Sequence, residues 1–177
     1  MGKWKEYKKI EFPGSMLKPS FSVYLFEIVT PQVKYFYVGM TGDGFYPSAR
    51  SAVHRFSGHF ERNARSTQNQ MSLALNKQKD ISLENIKIIM HHWPIKGFQA
   101  WEYPLKDFKP SKLKGKDKKS YEDYQDKQKK ILQLEQYLIT KVKNKIRDRC
   151  LNDTSKQQLE FDPAYKVIIA DVNKIVK

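Results

Sequence analysis

Two short apolar runs on either side of a proline constrain the fold of this chain more than any other feature. Ser22 to Thr30 reads SVYLFEIVT and Lys34 to Met40 reads KYFYVGM, and both are rich in β-branched and aromatic residues. Pro31 and Gln32 break the pattern between them. Two strand-forming runs joined across a short breaker favour an antiparallel hairpin. We therefore expect a sheet built on these two strands.

Helical and strand patterns alternate after the hairpin. Gly42 and Gly44 mark a loop, and Pro47 suits the first turn of a helix because its missing N–H costs nothing there. Apolar residues then recur at helical spacing at Ala49, Ala52, Val53, Phe56 and Phe60. The sequence predicts a second short helix over Gln70–Lys79 and a buried third strand over Asn85–His92.

The second half of the chain contains a basic stretch and a long helical pattern. From Tyr103 to Lys119 prolines, a glycine and many lysines replace any regular pattern, which predicts an inserted basic loop. Tyr121 to Arg149 predicts the longest helix, with an apolar stripe at Ile131, Leu134, Leu138, Val142 and Ile146. The type of the final apolar segment, Ala164 to Val176, stays open. These elements predict a single domain over residues 1–177 of the α/β (α+β) class, with a small antiparallel sheet flanked by helices.

Charge and cysteine content limit the partners of the chain. Lysine and arginine number 33 against 19 aspartates and glutamates, a formal net charge of +14. This charge calls for a polyanion, and nucleic acid is favoured over a membrane surface because the charge is spread along the chain. No run approaches the roughly 20 apolar residues of a membrane span. The single cysteine, Cys150, excludes a disulfide framework and a multi-thiolate zinc site, so the cytoplasm is the expected setting.

Three polar residues stand out against the apolar patterns. Glu135 lies inside the stripe of the long helix, four residues after Ile131 and three before Leu138. A carboxylate there is costly unless a divalent cation or a basic side chain holds it. Arg55 and His59 lie one helical turn apart, so they project from the same side of the first helix.

The order of these residues along the chain is similar to that of a known family of nucleases. The hairpin carries Ser22-Val23-Tyr24 on its first strand and Tyr37-Val38-Gly39 on its second, followed by Arg55, His59 and Glu135 on helices. This set resembles the GIY-YIG endonucleases over about residues 20–152 and is most similar to the stand-alone type II restriction enzymes among them. The chain departs from the family pattern in having Ser-Val in place of Gly-Ile and in its basic insertion, residues 103–119.

The resemblance implies a metal-dependent hydrolysis of DNA phosphodiesters. Glu135 would bind one Mg²⁺ or Mn²⁺ ion, and Arg55 would hold the scissile phosphate with its planar guanidinium. Tyr24, assisted by Tyr37, would activate the attacking water, with His59 supporting the site or relaying the proton. A phenol needs a strong positive field for this role, because its ordinary pKa is near 10.

The same resemblance implies a set of contacts to double-stranded DNA. Arg50 is the alternative to Arg55 as the phosphate ligand, and Asn152 corresponds to the polar residue that many members carry after the long helix. Lysines of the basic insertion are further expected contacts: Lys112, Lys114 and Lys116. A two-fold dimer would suit the cutting of both strands of a symmetric site, but the sequence does not determine the oligomeric state.

Three other interpretations stay open at this stage. The chain is a DNA-binding domain of this fold without cleavage activity, a basic assembly protein, or a nuclease of repair and recombination acting on branched or damaged DNA. Taken singly, each tyrosine and His59 is more often a packing residue than a catalytic one. Only their combination favours the nuclease.

Overall fold

A computed structural model describes residues 10–42, 49–61, 69–78, 81, 83–96, 108–153 and 162–177 of the chain. Within these ranges it contains one three-stranded antiparallel sheet and four α-helices, which confirms the expected α+β class. The strands are β1 (Ser22–Val29), β2 (Lys34–Thr41) and β3 (Lys87–Pro94). The helices are α1 (Ala52–His59), α2 (Gln70–Asn76), α3 (Gly115–Ile146) and α4 (Lys166–Ile175).

The sheet has the order β2-β1-β3, so the hairpin predicted from the sequence forms its first two strands. Thr30 closes the hairpin turn without a glycine. Its hydroxyl accepts the backbone N–H groups of Gln32 and Val33 and donates to the carbonyl oxygen of Val33. β1 is central and almost wholly buried, because helices cover both of its faces.

The two faces of the sheet carry separate cores because side chains alternate along each strand. Val23 and Leu25 of β1 pack with the apolar stripe of α3 and with α4. Tyr24 and Phe26 face the other way and pack with α2 and with aromatic residues of α1. The predicted stripe on α3 is confirmed, since its five apolar residues are all buried. The tyrosine-bearing face of the hairpin therefore meets α1 and α2.

Several predicted boundaries differ from the structure. α3 begins at Gly115, so the last five residues of the expected basic loop, including Lys116, are helical. The helix ends at Ile146, and residues 147–149 form a short 3₁₀ turn in place of its predicted last turn. Residues 103–107 of the expected loop lie outside the described ranges. The final apolar segment, left open above, forms α4.

Two further expectations concern β3, where the prediction was wrong, and the start of α1, where part of the prediction falls outside the described ranges. β3 is an edge strand whose side chains are half-buried or exposed, so the prediction of a buried third strand was wrong. Its run of isoleucines resembles a buried strand because an apolar run does not reveal whether its second face is covered. α1 begins after Ser51, whose hydroxyl accepts the N–H of His54, and Pro47 lies outside the described ranges.

None of the helices in the described ranges combines the length and the apolar character needed to cross a bilayer. α3 is long enough, with 32 residues, but it is strongly charged.

A buried carboxylate on the central strand makes one stabilising contribution testable. Glu27 has a side chain only 8% exposed and contacts Lys34 Nζ at 2.6 Å and His91 Nε2 at 3.3 Å. Burial alone would raise the pKa of Glu27, but the hydrogen bonds and charges of Lys34 and His91 outweigh it and lower that pKa below its usual value. Its contribution to stability is therefore present above the ordinary glutamate pKa of about 4.3 and is lost as the pH falls through the folded-state value.

We expect Glu27→Gln to reduce the free energy of unfolding at pH 7 by about 1–3 kcal/mol. The difference from the wild type should shrink at pH 3, where both chains carry an uncharged group. Urea unfolding at the two pH values measures it. Glu122→Gln is the control, because Glu122 is exposed and its nearest contact to Lys118 is 3.9 Å. An equal loss at both pH values would contradict the ionic origin.

Candidate active site

The hydroxyl of Tyr24 lies between two side chains of α1. Tyr24 Oη is 2.6 Å from His59 Nε2, and Arg55 Nη2 donates to the same oxygen at 3.3 Å. Arg55 and His59 reach it together because they lie one turn apart on the helix face that meets the sheet. The structure thus brings together three of the residues that the sequence singled out. Arg50 lies before the first turn of α1, and it is Arg55 that donates to Tyr24.

Gly39 makes room for the tyrosine ring. It lies directly opposite Tyr24 in the β1–β2 register. A Cβ atom on Gly39 would lie 2.3 Å from Cζ and Oη of Tyr24, closer than packed atoms approach. The glycine of the Tyr-Val-Gly motif is thus required by the path of the Tyr24 side chain across the sheet. Gly39 belongs to the Tyr-Val-Gly motif in the sequence, but the sequence alone does not show this steric reason for a glycine.

His59 is uncharged at physiological pH. Its side chain is buried, and burial together with the nearby charge of Arg55 lowers its pKa to about 3. Because Tyr24 Oη accepts from Arg55, its proton is available for His59 Nε2. The opposite assignment would also leave the tyrosine proton unpaired, whereas His59 Nδ1 lacks a hydrogen-bond partner in the part of the chain described under either assignment. We therefore assign Tyr24 as the donor and His59 Nε2 as the acceptor.

Tyr37 occupies the neighbouring position on β2. Its ring centroid lies 5.1 Å from that of His59, in an edge-to-face arrangement. Burial raises the pKa of Tyr37, and the nearby Tyr24 and Glu135 raise it further. Burial also raises the pKa of Tyr24, to about 12, although Arg55 opposes the change. Both phenols are thus neutral in the protein by itself.

Glu135 approaches the same group from α3. Burial of its carboxyl group raises the pKa to about 7, against the opposing effects of the Arg55 charge and of a hydrogen bond from the backbone N–H of Met40. The charge of Arg55 therefore stabilises the ionised form of Glu135, as the site expected from the family resemblance requires. Glu135 and Tyr37 line the same cleft, of about 500 Å³, between α2 and α3.

Asn152 is held to the outer edge of β2. Its Oδ1 accepts the N–H of Val38 at 2.9 Å, and its Nδ2 donates to the carbonyl oxygen of the same residue at 2.8 Å. The preceding residue, Leu151, donates its N–H to the carbonyl oxygen of Phe36 at 2.8 Å. Asn152 lines the cleft beside Glu135, and its carboxamide fixes this wall of the cleft. Its expected contact with DNA stays a prediction.

The residues of the cleft fit a divalent cation of the Mg²⁺ type. In the described ranges no three histidine, cysteine, aspartate or glutamate side chains come together in a ligand cluster. Mg²⁺ does not require one, because it keeps several water ligands and is commonly bound by one or two carboxylates together with substrate phosphates. Glu135 offers such a carboxylate, and its raised pKa reflects a burial cost that a bound cation would offset.

The expected DNA contacts of the basic segment lie at the other end of α3. Lys112, Lys114 and Lys116 are all exposed around the start of this helix. Twenty residues separate Gly115 from Glu135, which corresponds to about 30 Å along a helix axis. These lysines are therefore not part of the Tyr24 group, and any contact they make to a ligand lies well away from it.

One wall of the cleft was missed by the sequence analysis. α2 contributes Gln70, Leu73 and Asn76 to the lining, and Lys77 follows at its C-terminal end. The sequence predicted this helix but offered no signal for the face it turns toward the cleft, because polar residues on a short helix ordinarily face solvent.

No protein-family model matches the chain, and comparisons with curated proteins and with solved structures returned no match. The resemblance to GIY-YIG endonucleases therefore depends on the motif residues of the sequence.

The close approach of Tyr24 to Gly39 gives a direct test of the geometry. Gly39→Ala should displace the Tyr24 ring and reduce the free energy of unfolding by about 1–3 kcal/mol, the usual cost of overpacking. Gly14→Ala is the control, because a Cβ atom at Gly14 meets nothing within 4 Å. Chemical denaturation of both variants measures the difference. Equal stability of the two would contradict the described packing.

The protonation state of His59 gives a second test. Because its pKa is about 3, the imidazole signals of His59 should not shift between pH 8 and pH 5 in NMR spectra, with the assignment made from a His59→Gln spectrum. The unfolded chain takes up this proton near pH 6.5, so stability should fall as the pH decreases below that value. A midpoint near pH 6 for His59 would show that it is not enclosed as described.

Proposed function

We propose that this protein is a metal-dependent endonuclease of the GIY-YIG type that hydrolyses phosphodiester bonds in double-stranded DNA. The observation that carries this proposal is the Tyr24 hydroxyl held between His59 Nε2 and Arg55 Nη2, with Glu135 in the electrostatic range of the same arginine. A neutral histidine and a guanidinium hydrogen-bonded to one phenol, with a second phenol and a carboxylate that line the cleft, correspond to the needs of phosphodiester hydrolysis: proton removal from water, a phosphate ligand and a cation ligand.

The proton path follows from the two hydrogen bonds of Tyr24. A water molecule that donates to Tyr24 Oη can pass its proton to that oxygen while the phenol proton moves to His59 Nε2. The net result is a hydroxide at the phosphate and a protonated His59, with Tyr24 unchanged. Tyr37 lines the cleft and would orient the same water. This relay combines the two roles that the sequence analysis gave to Tyr24 and His59.

Substrate binding makes this relay easier. The charge of Arg55 is one of the two causes that lower the pKa of His59, after burial. A phosphate held by Arg55 neutralises that charge, so the imidazole becomes more basic when the substrate is in place. The proton acceptor is therefore weak in the protein alone and stronger in the complex.

Glu135 supplies the carboxylate that would hold one Mg²⁺ or Mn²⁺ ion. When bound, such an ion acts as a Lewis acid on the phosphate and favours departure of the 3′ oxygen. Arg55 binds the same phosphate from the α1 side with up to two hydrogen bonds. The two residues lie on different helices, α1 and α3, so the phosphate would be held between them.

DNA is the proposed substrate because of the charge of the chain and its distribution. The net charge of +14 favours a polyanion. The exposed lysines at the start of α3 lie about 30 Å from Glu135 along the helix, a distance that corresponds to about nine base pairs at 3.4 Å each. A duplex bound at both places would be long enough for recognition of a site around the cut, as in restriction.

Substitution of the two central residues tests the proposal. Tyr24→Phe should lower the rate of DNA cleavage by about 10²–10⁴-fold, the range for loss of a general base. Glu135→Gln should lower it by about 10³-fold, since a metal ligand supplies several kcal/mol of transition-state stabilisation. Plasmid, phage and branched DNA are incubated with Mg²⁺, with Mn²⁺ or with chelator, and the products are resolved on gels.

Matched variants separate chemistry from folding. Tyr35→Phe removes a hydroxyl from the same strand as Tyr37, and Glu122→Gln removes a charge from an exposed position of α3; both should cleave at the wild-type rate. Discrete fragments formed only with metal would support a site-specific enzyme, and cutting of branched substrates alone would support the repair interpretation. Binding of DNA without cleavage of any substrate would overturn the proposed hydrolysis.

A further inference from the structure

We infer that the candidate active site continues into a second phosphate-binding subsite, formed by Lys143 and Arg147 at the C-terminal end of α3. This subsite would hold a backbone phosphate of the nucleic acid strand a few nucleotides from the bond that is cut. The inference rests on the proposed function, since it concerns the same bound strand.

Two adjoining cavities define the path of the strand. The cleft with Tyr37 and Glu135 borders a second cavity of about 350 Å³, which Lys143 and Arg147 line. The two cavities share a wall made of Ala74, Lys77, Leu151, Asn152 and Asp153. They therefore form one groove between α2 and the end of α3.

The spacing along α3 suits a nucleic acid strand. Lys143 follows Glu135 by eight residues, which corresponds to about 12 Å along the helix axis. Successive phosphates of one strand advance by about 3.4 Å along a duplex. A phosphate at Lys143 would thus lie about two to four nucleotides from a phosphate at Glu135.

The charges in the second cavity favour an anion. Its acidic residues are Asp148 and Asp153, and Asp153 is paired with Lys77, whose Nζ lies 3.0 Å from Oδ2. The two other cations of the lining, Lys143 and Arg147, outnumber its one other carboxylate, that of Asp148. The groove is therefore positive on balance at the end farthest from Glu135.

The direction of the side chains separates this pair from other basic residues of the helix end. Cations near a helix C-terminus are common, because they complement the helix dipole. Lys141 lies over the ring of Tyr137 and Lys145 donates to the backbone oxygen of Asn173, so both face away from the groove. Lys143 and Arg147, also four residues apart, line it.

The backbone of Arg147 is a second indication of a role for its side chain. Its φ is 45°, and it is the one non-glycine residue with a positive φ among those that the structure describes. Glycine adopts this conformation more easily than any other residue. The chain instead places a long cation at this position, where it reaches the groove.

Salt-dependent DNA binding tests the subsite without reference to cleavage. We expect Lys143→Gln/Arg147→Gln to reduce the slope of log Kd against log salt concentration by up to about two for a 20-base-pair duplex in chelator. Lys141→Gln/Lys145→Gln removes the same charge from the same helix end and should leave the slope unchanged. Equal slopes for the two double variants would overturn the subsite, and failure of the wild type to bind DNA would overturn both proposals.

Neutral linkages locate the subsite on the substrate. Duplexes carrying one methylphosphonate at each position near the cut should be cleaved more slowly by the wild type when the neutral linkage lies about two to four nucleotides away. The Lys143→Gln/Arg147→Gln variant should not distinguish that linkage from phosphate. A wild type that cleaves with no such dependence would overturn the subsite and leave the nuclease proposal intact. A reduced salt slope for the Lys143→Gln/Arg147→Gln variant, without cleavage of any DNA by the wild type, would overturn the nuclease proposal and leave the subsite intact.

Arg147→Gly separates binding from folding. Because glycine relieves the backbone conformation, this variant should melt at or above the wild-type temperature while its DNA affinity falls. A fall in melting temperature without a change in affinity would show that Arg147 has only a structural role.

Discussion

Backbone N–H and carbonyl groups along the outer edge of β2 form hydrogen bonds with residues of α3 and of the segment after it. The candidate site depends on these hydrogen bonds. Phe36, Val38 and Met40 direct hydrogen-bonding groups away from β1, toward Leu151, Asn152 and Glu135 respectively. An edge strand offers such groups at every second residue. The register of the hairpin thereby fixes where Glu135 and Asn152 lie relative to Tyr37.

The second constraint is that the site is built partly from the core. Tyr24 and His59 are both buried, and burial is the main cause of the shift in the pKa of each. The charge of Arg55 then acts on both of them and on Glu135. Protonation of any one member depends on the others, so the group responds to a ligand as a unit.

The sequence predicted the hairpin and the apolar stripe of α3 from local periodicity, and the one-turn spacing put Arg55 and His59 on the same side of a helix. Their approach to Tyr24 was expected only from the resemblance to the nuclease family. The sequence did not predict the contribution of α2 to the cleft, the bond from Met40 to Glu135 or the partial exposure of β3. These features depend on which elements pack together over long separations in sequence, and amphipathic patterns leave that choice open. The start of α3 was misplaced because its first turns carry lysines without an apolar stripe.

The short parallel bridge between Phe36 and Cys150 has a consequence for association of the chain with itself. Exposed sheet edges are where strands of different molecules join, and proteins commonly block them to avoid aggregation. Residues 150–152 block the β2 edge of the described sheet, so another strand could be added only beside β3. Growth of the sheet between molecules would therefore leave the groove beside β2 accessible.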